Sequence, residues 1–451
     1  MSRWTAGRVR AALDLPPGSD DEVAFTSVLT DSRALARGAL FVALVGERFD
    51  AHDYLDAAAA AGAAGAVVRP GTRVPRGLVA FEVSDTLRAF GQLARARRRE
   101  LKGPVVAITG TNGKTSTKEM LAAALRTRFR VHATRANLNN LVGVPLTILE
   151  APDDTEALVV EAGANLPGEM PRYRTIIEPT LTIVTNAVEG HLEGFGSLAG
   201  VVAEKLSLTE GVPLAIVGTH PAALEAGARK LARAVRTAAL EGADLTPDRV
   251  ELGHDARPIL TFGGVRFTLA ARGLHQADNA TRVWAAVEAL DLDRQASARA
   301  LERFSMPGGR GELLEQAGLT ILNDCYNANP QSFRAAIATA RALRNGRRLV
   351  FIAGTMRELG PDAPALHAEI AQALVDLAPD LLGAVGEFVP ALAPHAARLG
   401  DRLVTADDPV ALGPLIAARL QGGEVIVLKA SRGVALERIL PALTTRATPP
   451  R

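Results

Sequence analysis

The stretch GTNGKT (110–115) contains the residue types that proteins use to hold a phosphate chain. Its two glycines permit a tight turn whose backbone N–H groups can point at an anion. Lys114 can reach terminal phosphates, and the hydroxyl of Thr115 can bind Mg²⁺. The general motif has a further glycine five positions before Gly113, where this chain has Ile108. An ordinary strand-to-helix turn with a surface lysine is the alternative. The predicted nucleotide-binding residues are Gly110, Thr111, Asn112, Gly113, Lys114 and Thr115.

The elements that must position this loop follow from the alternation of apolar runs with amphipathic stretches. Strand candidates are residues 105–110, 157–164, 181–187, 213–218, 319–326, 348–354, 381–386 and 424–431. Helical patterns lie between them, for example at 330–344 and 366–378. This order predicts an α/β fold with parallel sheets covered by helices. The loop then joins a buried strand to a helix N-terminus, where the helix dipole favours negative charge.

Two breaks in the pattern predict three domains. One is the stretch that ends in KGP near residue 100, and the other is the Pro/Gly hinge MPGGRGE (306–312). The predicted domains are 1–100, a small N-terminal α/β domain, then 101–308, built on the sheet behind the loop, and 309–451. The basic run ARARRRELK (94–102) is predicted to be a solvated helix face.

Composition excludes some classes of function. The chain has 451 residues, with 51 Lys plus Arg against 49 Asp plus Glu, so its net charge of +2 gives no electrostatic case for nucleic acid as a partner. The single cysteine, Cys325, excludes an internal disulfide and fits a reducing compartment. No run of about 20 apolar residues is present, and residues 1–20 lack a secretion signal. We expect a monomeric cytoplasmic protein.

The longer string GTNGKTSTKEM (110–120) resembles the nucleotide loop of the Mur ligases, the ATP-dependent amino-acid-adding enzymes of peptidoglycan synthesis, and of their folylpolyglutamate synthetase relatives. Three further stretches, 133–149, 191–205 and 323–337, resemble the branch that adds D-alanyl-D-alanine. The resemblance extends from residues 30–55 to residues 427–440. It therefore covers essentially the whole chain.

The resemblance implies a ligase that uses ATP and Mg²⁺. Its substrates would be UDP-N-acetylmuramoyl-tripeptide and D-Ala-D-Ala, joined through an acyl phosphate to give UDP-N-acetylmuramoyl-pentapeptide, ADP and phosphate. The third residue of the tripeptide stays open between lysine and meso-diaminopimelate. The N-terminal domain would hold the UDP-linked substrate, the central P-loop domain ATP, and a Rossmann-like C-terminal domain D-Ala-D-Ala. The central parallel sheet would carry helices on both faces.

Three residues beyond the loop are candidates for metal binding and catalysis. Glu161 ends a predicted buried strand, at the sheet edge where α/β proteins bind ligands; a surface acid is the alternative. The resemblance implies that Glu161 binds Mg²⁺ and that His191 is a second ligand. It also implies that Lys205 is carbamoylated by CO₂, which would turn a cation into an anionic ligand. The implied metal set is Thr115, Glu161, His191 and Lys205, and the implied catalytic set is Lys114, His191 and Lys205.

Further nucleotide contacts are implied by matches outside the loop. Asn279, in GLHQADN (273–279), matches an adenine-binding asparagine, although a helix N-cap is the alternative. Gln276 stands where the family usually has Asn. Arg310 and Asp324 match residues that reach the nucleotide as the domains close.

Substrate-binding residues are implied in four stretches. Ser32 and Arg33 resemble the element that grips the UDP group. An amide-rich loop at 137–140 would lie near the UDP-sugar, with turn chemistry as the alternative. YNANP (326–330) would line the acceptor end, and Lys429, Ser431 and Arg432, near the end of the strand candidate 424–431, could hold a substrate carboxylate. The implied residues are Ser32, Arg33, Asn137, Asn139, Asn140, Asn327, Asn329 and Ser431. Thr355 and Arg357 depart from the commoner pattern, which could alter dipeptide preference.

Three rival functions remain open. One is the sibling ligase that adds the third amino acid, although a DNPR-type motif is absent and YNANP is present. Another is a folylpolyglutamate synthetase, which the UDP-type N-terminal element disfavours. The last is a nucleotide-binding regulatory protein without ligase activity, against which the intact candidate residues argue.

Overall fold

The computed structural model describes residues 4–34, 36–46, 49–188 and 192–444. Its strands are β1 (Trp4–Thr5), β2 (Ala24–Phe25), β3 (Val28–Leu29), β4 (Leu40–Val42), β5 (Gly65–Val68), β6 (Val79–Glu82), β7 (Val105–Thr109), β8 (Val131–Ala133), β9 (Ala157–Glu161), β10 (Leu181–Val184), β11 (Leu214–Val217), β12 (Val235–Thr237), β13 (Arg249–Leu252), β14 (Pro258–Phe262), β15 (Val265–Thr268), β16 (Glu312–Gln316), β17 (Leu319–Asp324), β18 (Leu349–Ala353), β19 (Leu381–Val385), β20 (Leu403–Ala406) and β21 (Val425–Lys429). Its α-helices are α1 (Ala6–Ala12), α2 (Leu55–Ala60), α3 (Thr86–Arg98), α4 (Lys114–Leu125), α5 (Gly143–Leu149), α6 (Glu169–Ile177), α7 (Leu192–Phe195), α8 (Leu198–Ser207), α9 (Ala223–Leu231), α10 (Leu274–Ala289), α11 (Arg294–Arg303), α12 (Pro330–Arg344), α13 (Ala363–Leu377), α14 (Phe388–Leu392), α15 (Ala396–Leu399), α16 (Pro409–Ala417) and α17 (Leu440–Thr444).

The C-terminal sheet shows why its strands are apolar throughout. Its strand order is β16-β17-β21-β18-β19-β20, with an antiparallel pair β16–β17 and parallel pairs elsewhere. Successive side chains of a strand point to opposite faces. Val425 and Val427 pack into a core with α12, α13 and α14, whereas Ile426 and Leu428 pack into a second core with α16. Both faces are therefore covered by helices, as expected for a parallel sheet.

The sheet behind the glycine-rich loop has the strand order β12-β11-β10-β7-β9-β8. The pairs β8–β9 and β11–β12 are parallel. Strand β7 is buried along its whole length, and α4 follows it after the loop. This is the strand–loop–helix order that the sequence predicts.

Smaller sheets complete the described chain. Strands β3, β4, β5 and β6 form a parallel sheet in that order, with Phe41, Ala66 and Val68 packed against α2. Strands β1 and β2 form an antiparallel pair. Strands β13, β14 and β15 form an antiparallel sheet in which Phe262 and Phe267 stack on Trp284 of α10. The predicted α/β class with parallel sheets flanked by helices is confirmed.

The chain divides into two compact units. One comprises residues 1–107, 129–164 and 168–181, and the other comprises residues 108–128, 165–167 and 182–451. None of the helices in the described ranges is long and apolar enough to cross a membrane.

The prediction of a solvated helix face at residues 94–102 is wrong for two of its arginines, whereas Arg99 and Lys102 are exposed. Helix α3 buries Arg97 and Arg98, which are only 3% and 8% exposed. Arg97 donates to the carbonyls of Ala151 and Pro152, and Arg98 donates to the carbonyl of Ile177. Guanidinium groups can be buried when carbonyl oxygens satisfy their N–H groups. These two arginines therefore help to hold the first unit together.

Candidate active site

The glycine-rich loop needs its two glycines for geometric reasons. Gly110 has a φ of 145°, and a side-chain Cβ there would lie 1.9 Å from Thr185 Oγ1. Gly113 has a φ of 81°, and a Cβ there would lie 2.5 Å from Asn279 Oδ1. Residues with a Cβ adopt positive φ at a cost, and the space at both positions is already filled. The turn therefore depends on glycine at both ends.

Two residues at the end of β10 brace the loop from outside. Thr185 Oγ1 donates to the carbonyl of Asn112 at 2.5 Å, and the backbone N–H of Asn112 donates to Asn186 Oδ1 at 3.0 Å. The N–H of Thr111 donates to the carbonyl of Asn186. We did not predict Thr185 and Asn186 as site residues. The polar pair that ends the apolar strand LTIV was the signal that could have found them.

The two chemically important side chains of the loop have different surroundings. Lys114 Nζ donates to the carbonyls of Gly110 and Thr111 at 2.8 and 3.1 Å, so the lysine curls over the loop. Thr115 is buried, and its Oγ1 has no hydrogen-bond partner among the described residues. A buried hydroxyl is normally paired, so an orphaned one is a candidate for a missing partner such as a metal ion.

Helix α10 contacts the loop from within the same unit. Asn279 is buried and donates through Nδ2 to Gln276 Oε1 at 3.1 Å, and Gln276 Nε2 donates to Ser116 Oγ at 3.3 Å. The alternative that Asn279 caps a helix is wrong, because α10 begins at Leu274. Gln276 thus retains an amide contact to α4 even though the family usually has the shorter Asn.

Glu161 is held in the first unit by a defined set of hydrogen bonds. It is buried at the end of β9, and Asn139 Nδ2 donates to its Oε1 at 2.8 Å. Its backbone N–H donates to Thr134 Oγ1 at 2.9 Å. Its Oε2 has no hydrogen-bond partner among the described residues. A buried carboxylate with one oriented and one unpaired oxygen is suited to bind a hard cation.

We expect that substituting Asn139 with alanine raises the Mg²⁺ concentration for half-maximal activity by about 10-fold, because removal of a side chain that orients a metal ligand weakens the metal. Titration of activity with Mg²⁺ at saturating substrates measures this. The variant Asn137→Ala tests the same loop at an exposed position, and it should leave the Mg²⁺ requirement unchanged. An unchanged requirement in Asn139→Ala would show that Asn139 does not orient a metal ligand.

Of the two remaining predicted metal ligands, the structure describes Lys205, which lies in the second unit. Lys205 is 1% exposed on α8, and its Nζ lies 5.5 Å from the ring centroid of Phe195. His191 lies outside the described residues. Within the described ranges, no three side chains of His, Cys, Asp or Glu gather as a metal cluster.

An arginine and a tyrosine stack at the predicted hinge. The guanidinium carbon of Arg310 lies 3.7 Å from the ring centroid of Tyr326, and that of Arg432 lies 5.9 Å from the same centroid. Such contacts attract electrostatically and restrict the arginine. Asp324 Oδ2 forms an ion pair with Nζ of the buried Lys429 at 2.7 Å. The same Nζ also donates to the carbonyl of Asn327.

The predicted acceptor stretch is part of a compact polar cluster. Asn329 caps α12 by accepting from the N–H of Ser332 at 2.9 Å, and Asn327 Oδ1 accepts from the N–H of Ala328. Ser431 Oγ accepts from the N–H of Arg357 at 2.9 Å.

The loop that departs from the family pattern is held by a buried histidine. His367 Nε2 accepts from the N–H of Met356 at 2.9 Å, and its Nδ1 donates to the carbonyl of Ala363. Burial lowers the pKa of His367, which favours this neutral form. Thr355 Oγ1 accepts from the N–H of Glu387 at 3.0 Å. Both departures, Thr355 and Arg357, therefore make contacts that fix the loop.

The predicted UDP-binding residues lie in the first unit. Ser32 and Arg33 form a single 3₁₀ turn. The exposed Arg33 guanidinium donates to both oxygens of Asp31, and this bond lowers the pKa of Asp31 to about 2. Asn140 Oδ1 accepts from the N–H groups of Val142 and Gly143, so it acts as a turn residue before α5. Asn137 is exposed.

Cys325 has no chemical role in this arrangement. It is buried, and burial raises the pKa of its thiol. A thiol that is hard to ionise is a poor nucleophile.

Comparisons with known proteins identify the class. Residues 108–287 match the Mur ligase middle domain, and residues 309–432 match the Mur ligase glutamate ligase domain. The chain is thus a Mur ligase. It is 33% identical to the UDP-N-acetylmuramoyl-tripeptide–D-alanyl-D-alanine ligase of Escherichia coli, over 95% of each chain. The chain therefore belongs to the UDP-N-acetylmuramoyl-tripeptide–D-alanyl-D-alanine ligase family, as the sequence predicts.

Two solved structures resemble the fold. A MurF structure from Acinetobacter baumannii aligns with a TM-score of 0.87 and 29% identity, over 98% of this chain and 99% of that chain. The MurF ligase of Thermotoga maritima in complex with ADP aligns with a TM-score of 0.80 and 25% identity, over 93% of this chain and 97% of that chain.

Proposed function

We propose that this protein joins D-alanyl-D-alanine to UDP-N-acetylmuramoyl-tripeptide with hydrolysis of ATP, in peptidoglycan synthesis. The observation that carries the proposal is the loop 110–115, which joins the buried strand β7 to α4 and has an orphaned threonine hydroxyl. Membership of the ligase family supports the choice of substrates. The cytoplasm, where nucleotide-linked precursors and ATP are available, is the proposed compartment.

The reaction must activate a carboxylate. A carboxylate oxygen attacks the γ-phosphorus of ATP, the bond to the β-phosphate breaks, and ADP leaves. The amine of D-Ala-D-Ala then attacks the acyl carbon and loses a proton, and phosphate leaves with one carboxylate oxygen. Because two anions must meet in the first step, positioning and charge neutralisation provide most of the catalysis.

The loop residues supply the phosphate contacts in this proposal. Lys114 exchanges its bonds to the carbonyls of Gly110 and Thr111 for bonds to phosphate oxygens. The backbone N–H groups of the loop and the N-terminus of α4 add partial positive charge. Asn279 faces the adenine, and Arg310 and Asp324 contact the nucleotide from the C-terminal domain.

The residues present fit Mg²⁺, because the orphaned atoms Thr115 Oγ1 and Glu161 Oε2 are both buried oxygen donors of the kind that Mg²⁺ prefers. Mg²⁺, when bound, would neutralise charge on the phosphates. His191 and carbamoylated Lys205 complete the proposed ligands, each on the strength of the family resemblance. Lys205, His191 and Lys114 form the proposed catalytic set.

The other assignments divide among three proposed domains. Residues 1–100 bind the UDP-linked substrate through Ser32 and Arg33. Residues 101–308 bind ATP and, through Asn137, Asn139 and Asn140, lie near the UDP-sugar. Residues 309–451 bind D-Ala-D-Ala, and the proposed contacts there are Asn327, Asn329 and Ser431. The protein is proposed to act as a monomer.

Phosphate release from MgATP tests the proposed function. Purified protein is given UDP-N-acetylmuramoyl-tripeptide, in lysine and diaminopimelate forms, with and without D-Ala-D-Ala. We expect release only with both substrates, and a pentapeptide product by mass spectrometry. Release with a different acceptor and amine would assign a sibling activity, and nucleotide binding without turnover on any pair would assign a regulatory role.

A further inference from the structure

Three amide side chains that are far apart in sequence meet at the nucleotide loop; we call Asn112, Asn329 and Gln331 the amide cluster. Asn329 Nδ2 donates to Asn112 Oδ1 at 2.7 Å. Asn112 Nδ2 donates to Asn329 Oδ1 at 3.2 Å and to Gln331 Oε1 at 2.7 Å. A reciprocal amide pair with a third amide acceptor has one matching arrangement of donors and acceptors, so it specifies a single relative orientation.

Every polar atom of Asn112 already makes a hydrogen bond within the protein. Its side-chain oxygen and nitrogen are used within the cluster, and its backbone N–H and carbonyl are used by Asn186 and Thr185. The side chain of Asn112 is therefore held in place by protein groups at both of its amide atoms. It fixes the peptide groups on either side of it, whose N–H directions decide how well the loop holds phosphate.

The side chain of Asn329 is likewise held by hydrogen bonds within the protein. It is 5% exposed, and its Oδ1 accepts both from the N–H of Ser332 and from Asn112. Gln331 is the second residue of α12, and its Oε1 accepts from Asn112 of the loop. The N-cap and first turn of α12 thus contact the nucleotide loop through the side chains of Asn329 and Gln331.

We propose that Asn329 and Gln331 are positioning residues for the nucleotide loop, which they act on through Asn112. This inference rests on the proposed function, in which residues 326–330 contact the acceptor. The helix that begins at the end of this stretch, α12, then also affects the affinity for the nucleotide. Asn329 accordingly affects the ATP site in addition to any contact with the acceptor.

The substitution Gln331→Leu removes one acceptor of the cluster and keeps the size of the side chain. The substitution Asn329→Ser keeps a helix cap but is too short to reach Asn112, because serine is itself a favoured N-cap residue. Gln372→Leu on α13 is the matched control, since Gln372 is exposed and its Nε2 donates to Asp376 of the same helix. Thermal unfolding without nucleotide should shift by no more than about two degrees in each variant.

Binding of MgADP to the full chain, measured by titration calorimetry, is the test. We expect Gln331→Leu and Asn329→Ser to weaken MgADP binding by about three- to tenfold, the size of one hydrogen bond, and Gln372→Leu to leave it unchanged. At saturating ATP, the KM for D-Ala-D-Ala should change by less than about twofold in Gln331→Leu.

The inference is overturned if both variants bind MgADP as tightly as the unsubstituted protein, or if only the KM for D-Ala-D-Ala rises. It is also overturned if the unsubstituted protein does not bind MgADP. The binding measurement requires no turnover, so a protein that binds MgADP but makes no pentapeptide contradicts the proposed function and leaves this inference intact.

Discussion

Substitution of Lys114 with alanine should lower kcat by about 100-fold or more, because the ammonium group is proposed to stabilise charge that develops on the transferred phosphoryl group. In the structure, Lys114 Nζ donates to two loop carbonyls at 2.8 and 3.1 Å, and both bonds can be exchanged for bonds to phosphate. Initial-rate measurements of phosphate release with both substrates give the value.

The loss must be separated from unfolding. A hydrogen bond from Lys114 Nζ to a loop carbonyl contributes about 1 kcal/mol to stability, so thermal unfolding should change little. Lys230→Ala, at an exposed site on α9, is the matched control and should retain full activity. Retention of activity in Lys114→Ala would remove the loop lysine from the mechanism.

The second large effect is expected at Glu161. Replacing it with glutamine keeps its size and an acceptor for Asn139, but removes the charge at an orphaned, buried oxygen. We expect kcat/KM to fall by about 100-fold or more, since a lost metal ligand removes a charge that the reaction needs. Activity measured over a range of Mg²⁺ concentrations should show that excess metal restores part of the rate.

The same strand provides the control. Glu156 immediately precedes β9, whereas Glu161 ends it, so the two acids stand at opposite ends of one strand. Glu156 pairs with Arg130 at 2.8 Å. Glu156→Gln should therefore leave both the rate and the Mg²⁺ requirement unchanged. Equal losses in the two variants would mean that neither effect concerns a metal.

The elements of the fold could be predicted from the sequence because their signals are local. The apolar runs at 319–326 and 424–431 became β17 and β21, and the pattern at 330–344 became α12 with the same ends. Burial on both faces of a parallel sheet forces continuous apolar strands, which are easy to recognise. The strand–loop–helix order around Lys114 followed in the same way.

The polar contacts of the site could not be predicted in this way. Asn112 and Asn329 are separated by 217 positions, and no local pattern pairs them. Asn139 contacts Glu161 because the chain folds back over 22 positions. Turn chemistry explained the asparagines equally well from sequence alone. Only the folded arrangement distinguishes Asn139, which orients an acid, from Asn140, which forms a turn.

The burial of two arginines on α3 also could not be predicted from the local sequence. A run of arginines on a helix usually faces solvent, because burying an unpaired charge is costly. The guanidinium groups of Arg97 and Arg98 can be buried because they donate to backbone carbonyls. These carbonyls belong to segments that are distant in sequence, near residues 151 and 177. The sequence contains no local sign of those acceptors.

The central claim is that ATP activates the carboxylate of the UDP-linked tripeptide before the amine attacks. The measurement uses tripeptide substrate with both oxygens of the reacting carboxylate labelled with oxygen-18, together with MgATP and D-Ala-D-Ala, and the released phosphate is analysed by mass spectrometry. The account predicts that each phosphate carries one labelled oxygen, because the carbon–oxygen bond breaks when the amine displaces phosphate. Unlabelled phosphate, formed at the rate of pentapeptide synthesis, would contradict it.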